Sequence, residues 1–366
     1  MRPITAAAKA RELLYHASRN LGSANPLEDV GDVLDQSLAF PLGERYHSGD
    51  PLAPSFSETT PENLSFTIGA DGRNVTPTDR IASATEAMSG IVRNRFGTQA
   101  LRWLEDKVDG MKSGGYQRGA SYGAQFGSSF DRNGVTESFV QYEWGPMLMD
   151  SLPAPLFRIA RIALETLPGL RPSLSTVRCG RSSGSQQITF EIERALPLAN
   201  LQPLMDRLGL GHRHGGLMSA AAFILGARFT LPPDTAALTL RPARAGVELR
   251  LDVNLDALPD PPAQLMALMR LQMTERPKSI QGLDRWLMAL TPDGYPGPGT
   301  VSVLSVWVRP DLPARVALYL RPAAFGNPVQ TPAQPPAQRP MQSVAHSVSS
   351  GFADDSEMAS SAWAPY

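Results

Sequence analysis

The chain has 366 residues, of which 42% are apolar and 19% charged, with a net charge of −1 and one cysteine, Cys179. A nearly neutral chain argues against a mainly electrostatic grip on nucleic acid, and a lone cysteine excludes an internal disulfide framework and fits a reducing cytoplasm. The best apolar stretch, "GLMSAAAFILGARF", is too short to span a bilayer and is broken by Arg228, so a soluble cytoplasmic protein with no membrane partner is expected.

The opening "MRPITAAAKARELLYHASRN" is amphipathic and basic but lacks the apolar core of a signal peptide, and it reads as the first surface helix of an N-terminal helical segment, 1–50. "ENLSFTIGADG" then reads as a strand in which Asn63, Ser65 and Thr67 oppose Leu64, Phe66 and Ile68. "DRIASATEAMSGIVRNRFG" and "ALRWLEDKVDG" read as helices, and the glycine-punctuated "GGYQRGASYGAQFG" as a mobile loop or lid. No lysine followed by serine or threonine makes that loop a phosphate-binding P-loop. "VTESFVQYEWGP" is a strand, and "PAPLFRIARIALETLPG" keeps helical spacing through Leu156, Ile159, Ala163 and Leu167.

Three hairpins follow. "LRPSLSTVRCGRSSGSQQITFEIERAL" turns at a Gly/Ser cluster, "DTAALTLRPARAGVELRLDVNLDALP" turns at Pro242–Gly246, and "GTVSVLSVWVRPDLPARVALYLRPAAF" turns at Pro310–Pro313. Helical pairs separate them: "PLANLQPLMDRLGL" with "GLMSAAAFILGARF", then "PAQLMALMRLQMTE" with "SIQGLDRWLMALTP". From Asn327 the Pro, Gln, Ser and Ala-rich composition has no core-forming pattern, so 327–366 is expected to be a disordered tail.

The recurring unit is helix, helix, strand, strand, at a period of about sixty residues. Sequential hairpins make an antiparallel sheet, and sequential helix pairs cover one face of it. In "GVELRLDVNL", Val247, Leu249, Leu251 and Val253 take the helix-facing side while Glu248, Arg250, Asp252 and Asn254 take the other. An open sheet with a solvated polar face accounts for that alternation. The expectation is closure, an α+β fold over 51–326 in which about ten strands form a barrel ringed by helices, because closure removes the edges and turns the polar face into a lumen.

A repeated helix–helix–strand–strand barrel with a polar lumen resembles the ABBA or PT-barrel family of soluble aromatic prenyltransferases, nearest to its dimethylallyltryptophan synthase branch, with cyclic-peptide prenyltransferases as relatives. "TTPENLSF" is similar to that branch's threonine–proline–x–glutamate–x–serine strand, with Pro61 and Ser65 in register. "GVELRLDVNL" resembles its strands carrying a cation, a spacer and a polar partner, and "ARVALYLRP" its last strand, which ends in tyrosine with basic neighbours. Asn63 stands where the family has its glutamate base, with Glu62 one residue earlier, and Arg250 with Asp252 stands where the family favours lysine–x–tyrosine.

The resemblance implies electrophilic substitution. An allylic diphosphate (dimethylallyl or geranyl) ionises, an electron-rich ring attacks the cation, and a base removes a proton. Diphosphate in a water-poor site needs fixed cations, and lumen parity selects Arg178, Arg241, Arg250, Arg309 and Arg321, with Tyr319 beside them. Structural pairing with Glu191, Glu248 and Asp252 is the competing use for those arginines. Trp307 and Tyr319 are candidates to shield the carbocation. Glu62, Asn63 and Glu137 are the candidates for acid–base work, with Glu58 and Glu143 nearby.

No aspartate-rich D-D-x-x-D run is present, so the prenyl diphosphate is expected as a co-substrate with no other cofactor and no essential magnesium. "GRSSG" lacks the following helix of a nucleophile elbow, and His212 and His214 lack partner ligands for a metal. The acceptor, whether indole or tryptophan, a phenol, or an aromatic residue of a peptide, stays open. The second reading is a barrel that binds an amphipathic ligand or peptide without chemistry.

Overall fold

The computed structural model describes residues 4–42, 51–69, 75–113, 122–145 and 148–325. The expected tail, 327–366, and residues 114–121 of the glycine-punctuated loop lie outside these residues, while the end of that expected loop, Ala124–Gly127, belongs to a barrel strand instead.

Two helices open the chain, α1 (Ala6–Leu21) and α2 (Leu27–Ser37). Thr5 caps α1 by accepting the Ala8 N–H, and Gly22 ends it in the left-handed region at φ 73°. Strands β1 (Leu52–Ser57) and β2 (Leu64–Ile68) follow, then α3 (Pro77–Ile91) and α4 (Thr98–Ser113). Thr76 and Asp79 form a reciprocal capping box at the start of α3, with Pro77 in its first turn. Next come β3 (Ala124–Asp131), β4 (Gly134–Glu143), α5 (Ala154–Thr166), β5 (Leu170–Gly180) and β6 (Gly184–Ile192). The short pair β7 (Leu196–Pro197) and β8 (Thr230–Leu231) flanks α6 (Gln202–Arg207) and α7 (His214–Ile224). The chain continues through β9 (Ala236–Ala243), β10 (Gly246–Asn254), α8 (Leu265–Gln272), α9 (Pro277–Ala289), β11 (Gly299–Arg309) and β12 (Leu312–Pro322).

Ten strands close into one antiparallel barrel in the order β1-β12-β11-β10-β9-β6-β5-β4-β3-β2. The open-sheet alternative is thereby excluded. β1, which sequence reading passed over, closes the ring: Ser55 pairs with Ser65 of β2 on one side and Tyr319 of β12 on the other. All five barrel hairpins turn at one rim, and the connections through helices leave from the opposite rim.

Helices cover the outside, with α3 on β3 and β4, α4 on β5 and β6, α5 on β6 and β9, and α7 on β11 and β12. Leu249, Leu251 and Val253 of β10 are buried beneath them. Trp286 of α9 packs on Phe56 of β1, with ring centroids 5.8 Å apart. Cys179 is buried on the helix-facing side of β5, where burial, and then the Glu137 charge, raises its thiol to about 12. A thiol held neutral in this way is unreactive. Among the described residues, no helix is long and apolar enough to cross a membrane.

Candidate functional site in the barrel lumen

Because β-strand side chains alternate, the buried outer positions fix what points inward. On β10 the inward set is Glu248, Arg250, Asp252 and Asn254, and contacts across the lumen agree with it. Arg250 Nη1 donates to Tyr319 Oη at 3.4 Å, reaching past the intervening β11.

Three arginines converge here, each held by a carboxylate. Arg178 Nη1 donates to Glu137 Oε2 at 2.9 Å, Arg241 Nη2 to Glu248 Oε2 at 2.7 Å, and Arg250 Nε to Asp252 Oδ2 at 3.0 Å. Asp252 also accepts from Thr239 Oγ1 at 3.4 Å and from Ser305 Oγ. The Arg178 guanidinium lies 4.3 Å from the centroid of the Phe139 ring.

The electrostatics follow from this crowding. Burial pushes the pKa of Arg178 down, and the cations Arg241 and Arg250 push the same way, against the pull of Glu137. Burial also disfavours the charge on Arg250, but Asp252, Tyr319 and Glu248 together outweigh it and set its pKa above the ordinary value. An arginine keeps its charge across such shifts. The cluster is therefore a set of fixed cations in a poorly solvated space, where an anion with several oxygens can replace the three carboxylates as partner.

Arg309 and Arg321 do not join this group. Arg309 pairs with Asp311 at the tip of the β11–β12 hairpin, on the turn rim. Arg321 pairs with Asp256 at the opposite rim. Leu312, the register partner of Arg309, is separated from Arg321 by about 30 Å along β12, too far for one diphosphate to bridge. Strand parity gives the face of the sheet but not the depth in the barrel. Arg315, which shares the strand parity of Tyr319 and Arg321 but is not among the expected diphosphate ligands, faces the lumen beside Trp307, its register partner.

The aromatic candidates hold their places. Trp307 is buried and pairs in register with Arg250 and Arg315, while Tyr319 lies between Ser55 and Val303. Phe139 is a lumen aromatic that sequence reading missed, although it shares the parity of Glu137. It fits because Gly127 opposes it: a Cβ at that position would collide with the ring.

The carboxylates separate clearly. Glu62 is exposed on the turn before β2, outside the lumen. Asn63 is buried at the turn-rim end of β2, and its Nδ2 donates to Ser129 Oγ at 3.4 Å, while Ser129 and Ser65 hydroxyls lie 2.6 Å apart. Glu137 pairs in register with Ser129, so a lumen carboxylate stands one strand away from the partner of Asn63. Glu58 has no exposed side-chain surface; it is ion-paired with Arg276 and Arg315 and accepts the Val316 N–H at 3.1 Å. Glu143 accepts the backbone N–H groups of Tyr122 and Gly123 at 2.6 and 2.8 Å. Both are structural anchors.

His212 is exposed and reaches the Pro310 carbonyl at 3.3 Å, while His214 is buried against the Leu198 carbonyl at 3.0 Å. Among the described residues, no three His, Cys, Asp or Glu side chains gather as a metal site.

No protein-family model matches the chain, and no curated protein matches its sequence. Solved structures do. A 6-dimethylallyltryptophan synthase from Micromonospora olivasterospora, in complex with DMASPP and Trp, superposes with a TM-score of 0.69 at 15% identity, covering 88% of this chain and 98% of that one. A 5-dimethylallyltryptophan synthase from Streptomyces coelicolor gives 0.63 at 16% identity over 87% and 98%. AnaPT from Neosartorya fischeri gives 0.58 at 10% identity over 87% and 95%. At these identities the likeness speaks for architecture, and with the closed ten-strand topology it establishes that this chain has the PT-barrel fold of the aromatic prenyltransferases.

Proposed function

We propose that the protein transfers a dimethylallyl or geranyl group from its diphosphate to an electron-rich aromatic acceptor. The observation that carries this reading is the convergence of Arg178, Arg241 and Arg250 inside a closed polar lumen. In this reading the three guanidinium groups and the Tyr319 hydroxyl take the diphosphate oxygens. The allylic C–O bond breaks with its electron pair leaving on diphosphate, and Trp307, Tyr319 and Phe139 face the cation and keep water away. The acceptor ring forms the new C–C bond and loses its proton to a carboxylate.

Glu137 is the residue we assign as that base. Diphosphate draws Arg178 away from it, and so frees a carboxylate at the moment the reaction needs one. Asn63, at the family's base position, orients Ser129 instead. Charge neutralisation by the arginines supplies what a metal would, so we expect turnover to survive EDTA.

The test is to incubate the protein with dimethylallyl or geranyl diphosphate and a panel of indoles, phenols and aromatic peptides, and to look for added C5 or C10 mass. Absence of both product and diphosphate binding would overturn the reading. The second reading, a barrel that binds an amphipathic ligand without chemistry, draws on the pairing of every cluster arginine with its own carboxylate. Diphosphate-independent ligand binding without product would favour it.

A further inference from the structure

We propose that the turn rim carries an outer anion site, a recess between the β9–β10 and β11–β12 turns in which Arg244 and Arg309 take a diphosphate group before it reaches the lumen arginines. That the diphosphate belongs to an allylic donor rests on the prenyl-transfer reading above; the capture of the anion does not.

The recess is open, about 360 Å³ in volume, and lined by Ala243, Arg244, Ala245, Arg309 and Asp311. Its walls are fixed. The Pro310 carbonyl accepts from Arg213 Nη2 at 2.8 Å and from Nε at 3.3 Å, which pins the β11–β12 turn to the segment before α7. Gly246 lies close against the Pro310 ring, where a Cβ would come within 3.0 Å of Cγ, and so seats one turn on the other.

Charge is unbalanced at the recess. Arg213, Arg244 and Arg309 converge on these two turns, and of the residues lining or pinning them only Asp311 is acidic. Arg244 is exposed and has no hydrogen-bond or ion-pair partner among the described residues. Arg309 holds Asp311 through contacts of 3.1 and 3.3 Å at the surface, a pairing that a multiply charged anion readily displaces.

The lumen arginines differ. Arg178, Arg241 and Arg250 each start in contact with a carboxylate that diphosphate must replace. An arriving anion therefore meets surplus charge at the recess and engaged cations further in. The way inward is short. The Arg309 guanidinium lies 5.8 Å from the centroid of Trp307, and Trp307 pairs in register with Arg250. Arg250 is four residues, about 13 Å, inward of Gly246 along β10, farther than one diphosphate group spans. The recess and the lumen cluster are thus two successive stations.

Fixed positive charge at a mouth raises the arrival rate of an anion, and salt screens the effect. The experiment times the association of dimethylallyl diphosphate with the full chain by stopped-flow tryptophan fluorescence, at low ionic strength and in about 0.5 M NaCl. The double variant Arg244→Gln/Arg309→Gln should associate about tenfold more slowly at low ionic strength and within about twofold of the parent at high salt. Asp311→Asn should associate faster than the parent. Arg132→Gln removes an exposed arginine from the β3–β4 turn, across the barrel, and so controls for net charge; its rate should stay within about twofold of the parent. Product formation is then measured on the same proteins with the acceptor panel. An unchanged rate in the double variant, a loss that persists at high salt, or an equal loss in Arg132→Gln would overturn the recess. Slower association in the double variant alone, with no product from any acceptor, would keep the recess and remove prenyl transfer. Product from the parent with an unchanged rate in the double variant would do the reverse.

Discussion

Arg250→Ala tests the lumen from the inside. The substitution leaves Asp252, 6% exposed, without its cation and with only Thr239 and Ser305 as partners. Removing one member of a buried pair costs about 3–5 kcal/mol, and the two remaining hydrogen bonds put this case near 3. For a domain of this size that is a fall in Tm of roughly 4–6 °C. Adding Asp252→Asn removes the orphaned charge and should return about 2 kcal/mol. The double variant should nevertheless stay catalytically poor, because a charge-assisted diphosphate contact contributes about 2–4 kcal/mol to transition-state binding, or two to three orders of magnitude in rate. Leu251→Ala, facing the helices, should lower stability by about 2–5 kcal/mol through a core cavity and spare the chemistry of the folded fraction. Chemical denaturation and a prenyl-transfer assay on all four proteins complete the comparison. If Arg250→Ala unfolds like the parent, or if Asp252→Asn restores nothing, the charged face of β10 is not a dry lumen and the site assignment fails with it.

Glu137→Gln should keep diphosphate affinity while lowering turnover by about 10²- to 10⁴-fold, the contribution of a general base; a rate near that of the parent would move the base elsewhere. Gly127→Ala should destabilise by about 1–3 kcal/mol as Phe139 is forced off its seat under Arg178, and Phe139→Leu in the same chain should relieve it; thermal denaturation of the pair reads this directly. At the turn rim, paired hydrogen bonds from Arg181, both 2.7 Å, hold Asp131 below the usual carboxylate range. Since that pKa is depressed, its stabilisation is complete above about pH 4, the unfolded value, and disappears as pH falls through the folded one. Urea unfolding across that window should show a shallower acid limb for Asp131→Asn, and identical limbs would refute the coupling.

The strands were legible where their alternation was uninterrupted. The hairpins β5–β6, β9–β10 and β11–β12 fall where the polar and apolar residues alternate, and the helices between them keep their spacing. β1 escaped because "LAPSFS" is short and carries Pro54, a poor strand residue by local rules, and only its two neighbours hold it in the sheet. Side-chain direction was readable and depth was not, since period-two alternation carries no information about how far along the barrel axis a residue sits. That is why Arg178, Arg241 and Arg250 meet while Arg309 and Arg321 occupy opposite rims. Glu58 looked available for chemistry because its partner Arg276 is supplied by the segment before α9, far away in sequence.

The joint between β1 and β12 also governs how this barrel is assembled. Ser55 meets Tyr319 there, so the ring is sealed by segments near the two ends of the described chain, and Glu58 secures the joint by accepting the Val316 N–H while holding Arg315. Apart from the β11–β12 hairpin itself, every other barrel pairing can form before the last strand is made; this one waits for it. Until β12 emerges from the ribosome, β1 and β11 are both open edges, each able to pair with a strand of another molecule. Closure at such sequence separation is intrinsically slow. Solubility during synthesis thus depends on how soon the final hairpin, β11 with β12, reaches β1.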